Sequence, residues 1–178
     1  MSFLTTHTAA CSATMTWVAV EWFHRGKPTM FGAATGAIAG LATITPAAGF
    51  VGPISALVIG IAAALVCYVA LNAKTKFGYD DSLDAFGVHG VGGTIGTLMA
   101  GLFASVAVNA AGANGMFFGN AKQFFVQAGA VGIVALYSFV MSFLMLKALD
   151  ALIGLRVGPE EETEGLDISQ HGEGGYAM

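Results

Sequence analysis

Pro53-Ile-Ser-Ala-Leu-Val-Ile-Gly-Ile-Ala-Ala-Ala-Leu-Val-Cys-Tyr-Val-Ala-Leu-Asn-Ala73 runs for 21 residues without a charge. A helix needs roughly 20 apolar residues to cross a bilayer core, whereas a membrane strand needs only about 10 and alternates in polarity. The run therefore reads as a membrane helix. Four further apolar segments flank it, at Leu4–Phe23, Thr29–Ala47, Asp84–Val108 and Phe124–Leu152. Pro46 and the loop that follows it make the second of these the weakest. The fifth has 29 residues, which at about 1.5 Å each overshoot a core of about 30 Å, so it tilts or projects. The expected fold class is all-α: a polytopic helical membrane protein with about five transmembrane helices in residues 1–157.

Composition agrees. Of 178 residues, 56% are hydrophobic and 10% charged, where a soluble domain carries roughly 25% charged residues. Glycine stands at 25, about twice its usual share of roughly 7%, and has no collagen-like period. Such an excess suits helices that pack backbone against backbone in lipid. Soluble enzymes, nucleic-acid binders and disordered chains are excluded. Cys11 and Cys67 both lie in apolar runs and read as buried free thiols with no metal role. No basic stretch and small-residue cleavage site mark a signal peptide at the N-terminus.

Charge between the segments predicts orientation. Arg25, Lys27, Lys74, Lys76, Lys147 and Arg156 fall on one side, and Lys122 alone on the other. By the positive-inside rule the N-terminus lies outside and the C-terminus in the cytoplasm. Trp22 and Phe23 beside the first basic loop suit an interfacial aromatic belt. The tail, 158–178, is the one long polar stretch and holds six of the eleven acids.

Two motifs stand out. Gly32, Gly36 and Gly40 recur at every fourth residue, a flat stripe that serves either static helix packing or a moving seam. The second motif is Asp81-Ser-Leu-Asp84-Ala-Phe-Gly-Val-His89-Gly-Val-Gly-Gly-Thr-Ile-Gly96. Asp81 can cap the helix, with Asp84 as its capping-box partner. His89 falls about 12 Å into a core of about 30 Å, where an ionisable side chain points to function unless a neighbouring helix satisfies it. Helical spacing puts Gly92, Gly93 and Gly96 on its face, so the ring is expected to border open space. Neutral imidazole offers one donor and one acceptor, suited to a small protic solute. A bare metal ion would be poorly served by one nitrogen. The residues alone stop at a pore or relay for something small.

At this point the chain resembles the ammonium transporter family (Amt/methylammonium permease, related to Rh proteins). The resemblance rests on Trp17…Glu21-Trp22…Gly26-Lys27-Pro28, on Gly32–Leu41 with Thr45-Pro-Ala-Ala-Gly49, and on Asp84-Ala-Phe-Gly-Val-His-Gly-Val-Gly-Gly93. Gly154-Leu-Arg-Val157 and Glu164-Gly-Leu-Asp167…His171-Gly-Glu173 complete it. These run in family order along essentially the whole chain.

The resemblance implies a homotrimer in which each protomer has its own hydrophobic pore, built from two inverted five-helix halves. It implies eleven spans in the family, of which this chain matches the last five. His89 would then be the second of twin pore histidines, Asp81 the acid at the cytoplasmic start of the tenth helix and Asp84 the acid of the D-x-F-G-x-H-G motif, with Gly92 and Gly93, placed by helical spacing, beside the ring. The first histidine, the outer aromatic site and the phenylalanine gate would lie upstream of Met1, making the chain a part of a transporter that does not conduct alone. Ammonium would shed water and a proton, and ammonia would pass the histidines. Potassium, unable to donate a hydrogen bond, would face an uncompensated desolvation cost. The tail resembles the family's regulatory C-terminus, which contacts neighbouring protomers and PII-type signalling proteins. No cofactor is expected. The spans show no nucleophile–base pair, which argues against an enzyme. The competing readings are an ammonium sensor signalling through its tail and a neutral-gas channel of the Rh type, and the tail pattern favours the Amt branch over the latter.

Overall fold

The computed structural model describes residues 1–174; the last four residues of the tail expected at 158–178 lie outside the described residues. The described α-helices are α1 (Ser2–Arg25), α2 (Met30–Ile44), α3 (Pro53–Phe77), α4 (Val91–Phe103), α5 (Ala121–Leu152), α6 (Pro159–Glu164) and α7 (Leu166–Ser169). A π-helical turn, Phe86–Gly90, leads directly into α4.

Local chemistry sets the boundaries. Gly26 ends α1 in the left-handed region (φ 76°), a conformation that costs glycine little, and its N–H donates to Trp22 O. Thr29 then opens α2, its hydroxyl accepting the Gly32 N–H at 2.9 Å. Pro53 occupies the first turn of α3, where a missing N–H costs nothing.

Two compact units divide within α5: Met1–Ile133 and Val134–Met178. In the first, α1 packs on α2 and α3, and α4 packs on α2 and α3. The contacts are made by small residues. A Cβ on Gly36 would meet Trp17 Cβ at 2.6 Å, and one on Gly40 would meet Ala13 Cβ and Ala9 O at 2.7 Å. The stripe of α2 is thus seated on α1, the packing alternative for that motif. One buried cluster joins Ala9, Ile44, Val51, Ala56 and Ile59; another joins Ala13, Trp17, Ala39, Ala64, Cys67 and Tyr68. Cys67 is buried as expected, but Cys11 is exposed, because it lies off the alanine face that α1 turns to its neighbours.

In the second unit the residues of α5 from Val134 onward are exposed, among them Leu136, Phe139 and Phe143. The tail, expected only as polar chain, forms α6 and α7. Glu161 joins them by accepting from the Gly158 N–H (3.1 Å) and from Gln170 Nε2 (2.6 Å), while Arg156 pairs with Glu162 at 2.7 Å.

The spans depart from expectation in three places. Among the described residues, the helices long and apolar enough to cross a membrane are Pro53–Phe77, Phe86–Phe103 and Ala121–Leu152, with Met30–Ile44 apolar but shorter. α1 has the length, at 24 residues, but its serines and threonines lower its apolarity. The fourth segment stops at Phe103 rather than Val108. Ser105 turns the chain instead: its N–H donates to Phe50 O, its carbonyl accepts from Val108 and Asn109, and Asn114 Oδ1 takes the Val106 N–H. Polar partners for the backbone here outweigh the apolar text of Val106-Ala-Val108.

These contacts predict opposite outcomes for two glycine substitutions. Gly40→Val forces a side chain into Ala9 and Ala13 and should cost about 1–3 kcal/mol. Gly129→Ala, on α5 with nothing within 4 Å, should be neutral or gain up to about 1 kcal/mol of helix propensity. Thermal unfolding of the two variants in lipid nanodiscs, compared with the parent chain, checks both.

Candidate functional site: the histidine turn and its supports

The segment leading to His89 is anchored at its start. The Asp81 carboxylate accepts the N–H groups of Ala85 (2.9 Å) and Phe86 (3.1 Å), with Gly87 at 3.4 Å. It thus caps the incoming turn, as expected. Asp84 does something else. It was expected as the capping-box partner, yet its carboxylate receives the ammonium of Lys74 at the end of α3. Its backbone adopts φ 57°, which lies outside the helix and removes it from a capping-box position. Lys74 Nζ also donates to the Asp81 carbonyl at 2.7 Å.

His89 follows within the π-helical turn, where the Val91 N–H reaches back five residues to Phe86 O. π-turns inside α-helices are rare and concentrate at functional sites, because the extra residue re-aims side chains. Three contacts hold this one against α3. Gly87 sits over Leu71, the Cys67 thiol donates to Val88 O at 3.9 Å, and Val88 is buried.

The three glycines expected beside His89 part company. Side chains at 92 and 96 would collide with α2, with Thr43 Oγ1 at 2.8 Å from the first and the Thr43 carbonyl carbon at 2.8 Å from the second. Gly92 and Gly96 are packing positions. Only Gly93 has nothing within 4 Å. His89 is exposed and, among the described residues, its ring makes no hydrogen bond. The clear space beside it therefore lies on the Gly93 side alone. The wider turn shifts the register between His89 and the glycines that follow, which equal spacing at 3.6 residues per turn could not reveal.

Glu21 is a residue that sequence reasoning quoted but did not place. It is 3% exposed and accepts the Thr29 N–H at 2.8 Å and the Thr29 hydroxyl at 3.0 Å, with Arg25 at 3.8 Å. Its carboxylate fills the space that a side chain at Gly32 would need, so the first glycine of the stripe makes room for a buried acid. The signal was available as one charge inside the otherwise uncharged segment Leu4–Phe23. Beside it lies a cavity of about 240 Å³, lined among others by Trp17, Glu21, Tyr68, Asn72, Lys74 and Asp84. Tyr68, which lines it, shares a hydrogen bond of 2.7 Å between its Oη and His24 Nδ1. Among the described residues no three His, Cys, Asp or Glu side chains come together to hold a metal.

The sequence profile of the Ammonium Transporter Family matches residues 1–176. The chain belongs to the ammonium transporter family. An ammonium transporter of Bacillus subtilis is 47% identical over 176 residues, covering 98% of this chain and 44% of the relative. The crystal structure of Saccharomyces cerevisiae Mep2 superposes with a TM-score of 0.84 at 34% identity, over 89% of this chain and 37% of that one. A solved structure of a sensor Amt protein gives 0.79 at 29% identity, over 96% of this chain and 41% of that one. The chain thus spans less than half the length of the relatives it matches. Within it, the fold is shared over 89% of the chain with the first of these structures and 96% with the second.

The Glu21 contacts predict a local effect. Glu21→Ala should cost about 1.5–3 kcal/mol, because it removes the charged acceptor of the Thr29 N–H and hydroxyl. Hydrogen exchange should quicken at the Thr29 and Gly32 amides while the amides of α4 keep their protection.

Proposed function

We propose that this chain supplies the C-terminal part of a pore for ammonium or ammonia, with His89 as the protic group at its centre. The observation that carries the reading is the state of His89: exposed on a π-turn, its ring without a hydrogen bond, beside the open Gly93. A ring satisfied within this bundle would have no spare donor or acceptor, whereas this one keeps both for a solute or for a second histidine. Family membership supplies the solute class. A dry pore passes ammonia between imidazole nitrogens and leaves potassium without compensation for its lost water.

In this reading residues 1–157 form five spans and 158–178 a cytoplasmic regulatory tail. The N-terminus of the chain faces outward, because the basic residues gather at the opposite ends of the spans. The exposed apolar length of α5 then faces lipid, the other half of the pore or another protomer of a homotrimer. Asp81 and Asp84 act from the start of the histidine turn. Gly93 clears the path, and Gly92 keeps the helix seated. A PII-type protein would meet the tail.

A second reading is favoured by the likeness to the sensor Amt protein: the same fold reports ammonium through its tail. Deleting Gly158–Met178 from a complete pore separates the two, since loss of signalling with transport intact supports the sensor.

The test grafts this chain in place of the matching segment of the Bacillus subtilis transporter and follows methylammonium uptake. His89→Ala should lower uptake by about 100-fold or more, the range of a lost proton-handling group. Gly93→Leu should block uptake in a folded protein, whereas Gly92→Leu should destabilise the bundle. Unchanged flux in His89→Ala would overturn the relay. The 178 residues alone should show no saturable uptake.

A further inference from the structure

His89 is held in place from outside its own helix. Of the three acids in the loop between α3 and the π-turn, Asp80, Asp81 and Asp84, the last two have different tasks at the turn. The Asp81 side chain is spent on the N–H groups of the incoming turn, and the Asp84 carbonyl accepts the Val88 N–H at 2.9 Å, the first helical bond of the segment that carries His89. The placement of Asp84 therefore sets the placement of Val88 and the imidazole next to it. Asp84 is also the one described non-glycine residue with a positive φ. Such a backbone persists only where its surroundings over-determine it. Those surroundings are Lys74, whose ammonium bridges the Asp84 carboxylate and the Asp81 carbonyl. Both charged side chains are largely covered, at 22% and 19% exposure. The remaining ties between α3 and the turn, Leu71 under Gly87 and the Cys67 thiol on Val88 O, carry no charge and are weaker.

We propose that Lys74 is a positioning residue for His89: by clamping Asp84 and Asp81 from the end of α3, it fixes the register of the π-turn and so the direction of the imidazole. This rests on the pore reading only for its consequence in transport. The clamp itself is a statement about geometry. Without the ammonium, the turn has reason to relax toward a regular α-helix, in which His89 would rotate toward the packed face of Gly92 and Gly96.

The experiment reads the ring directly. The chain is labelled with ¹⁵N-histidine, placed in lipid nanodiscs and compared as parent, Lys74→Met and Lys74→Arg, with the His89 signal assigned by its loss in His89→Ala. Lys74→Met should shift the His89 imidazole signals while those of His7 and His24 stay, and Lys74→Arg should restore them. An unmoved His89, or a common shift of all four histidine rings, would overturn the proposal. If Lys74→Met does not fold, Asp84→Asn removes the same clamp at nearly constant volume and is read the same way. Loss of fold in both variants assigns the bridge to stability alone and also overturns the proposal. In the grafted pore, Lys74→Met should lower maximal uptake by up to about 100-fold, with its half-saturation little changed. If His89→Ala leaves uptake intact, the pore reading falls, and the ring signals still decide the role of Lys74.

Discussion

Backbone-to-backbone approach is the constraint on which this bundle depends. In lipid there is no hydrophobic gain from bringing helices together, so association rests on close contact and on polar pairs. Here the contact is made by glycines and alanines: Gly36 and Gly40 against α1, Gly60 against Ala9 and Ser12, and Gly92 and Gly96 against Thr43 and Pro46. Each leaves no room for a methyl group. The helices are thus set at distances that side chains would otherwise vary, and the positions of Trp17, Glu21 and the histidine turn follow from those distances.

Much of this was legible in the sequence. The run Pro53–Ala73 became α3, which starts at the same proline and continues to Phe77, and the four-residue glycine spacing in α2 marked a real contact face. Asp81 capped where its position suggested. These features succeed because they depend on local chemistry and periodicity, which a single sequence records. The family resemblance carried by the Asp84–Gly93 motif was likewise borne out over nearly the whole chain.

What was illegible depends on partners far away in sequence. The π-turn at Phe86–Gly90 adds a residue to one helical turn, and hydropathy is unchanged by it. Asp84 looked like a capping partner because Lys74 is ten residues distant and its reach across the loop is a tertiary fact. Gly92 and Gly93 are adjacent and identical in chemistry, yet one lies under Thr43 and the other faces open space. Their difference is fixed by where α2 passes. The early stop of α4 had the same origin, since Phe50 and Asn114 supply the hydrogen bonds that let the chain turn at Ser105.

The hydroxyls of α1 bear on a different matter, the entry of the chain into lipid. Thr8 donates to Leu4 O, Thr14 to Ala10 O and Thr16 to Ser12 O, at 2.7–2.8 Å. Each group arrives with its partner already on the preceding turn. A scale that counts every threonine as a group to be stripped of water overstates the cost of inserting such a segment, because the exchange of water for a backbone carbonyl is complete before any neighbour is met. α1 is polar by composition and self-satisfied by conformation. Glu21 differs: beyond Arg25 in its own helix it takes its donors from Thr29, the cap of α2, so its hydrogen bonds are complete only when α1 and α2 stand together as a hairpin.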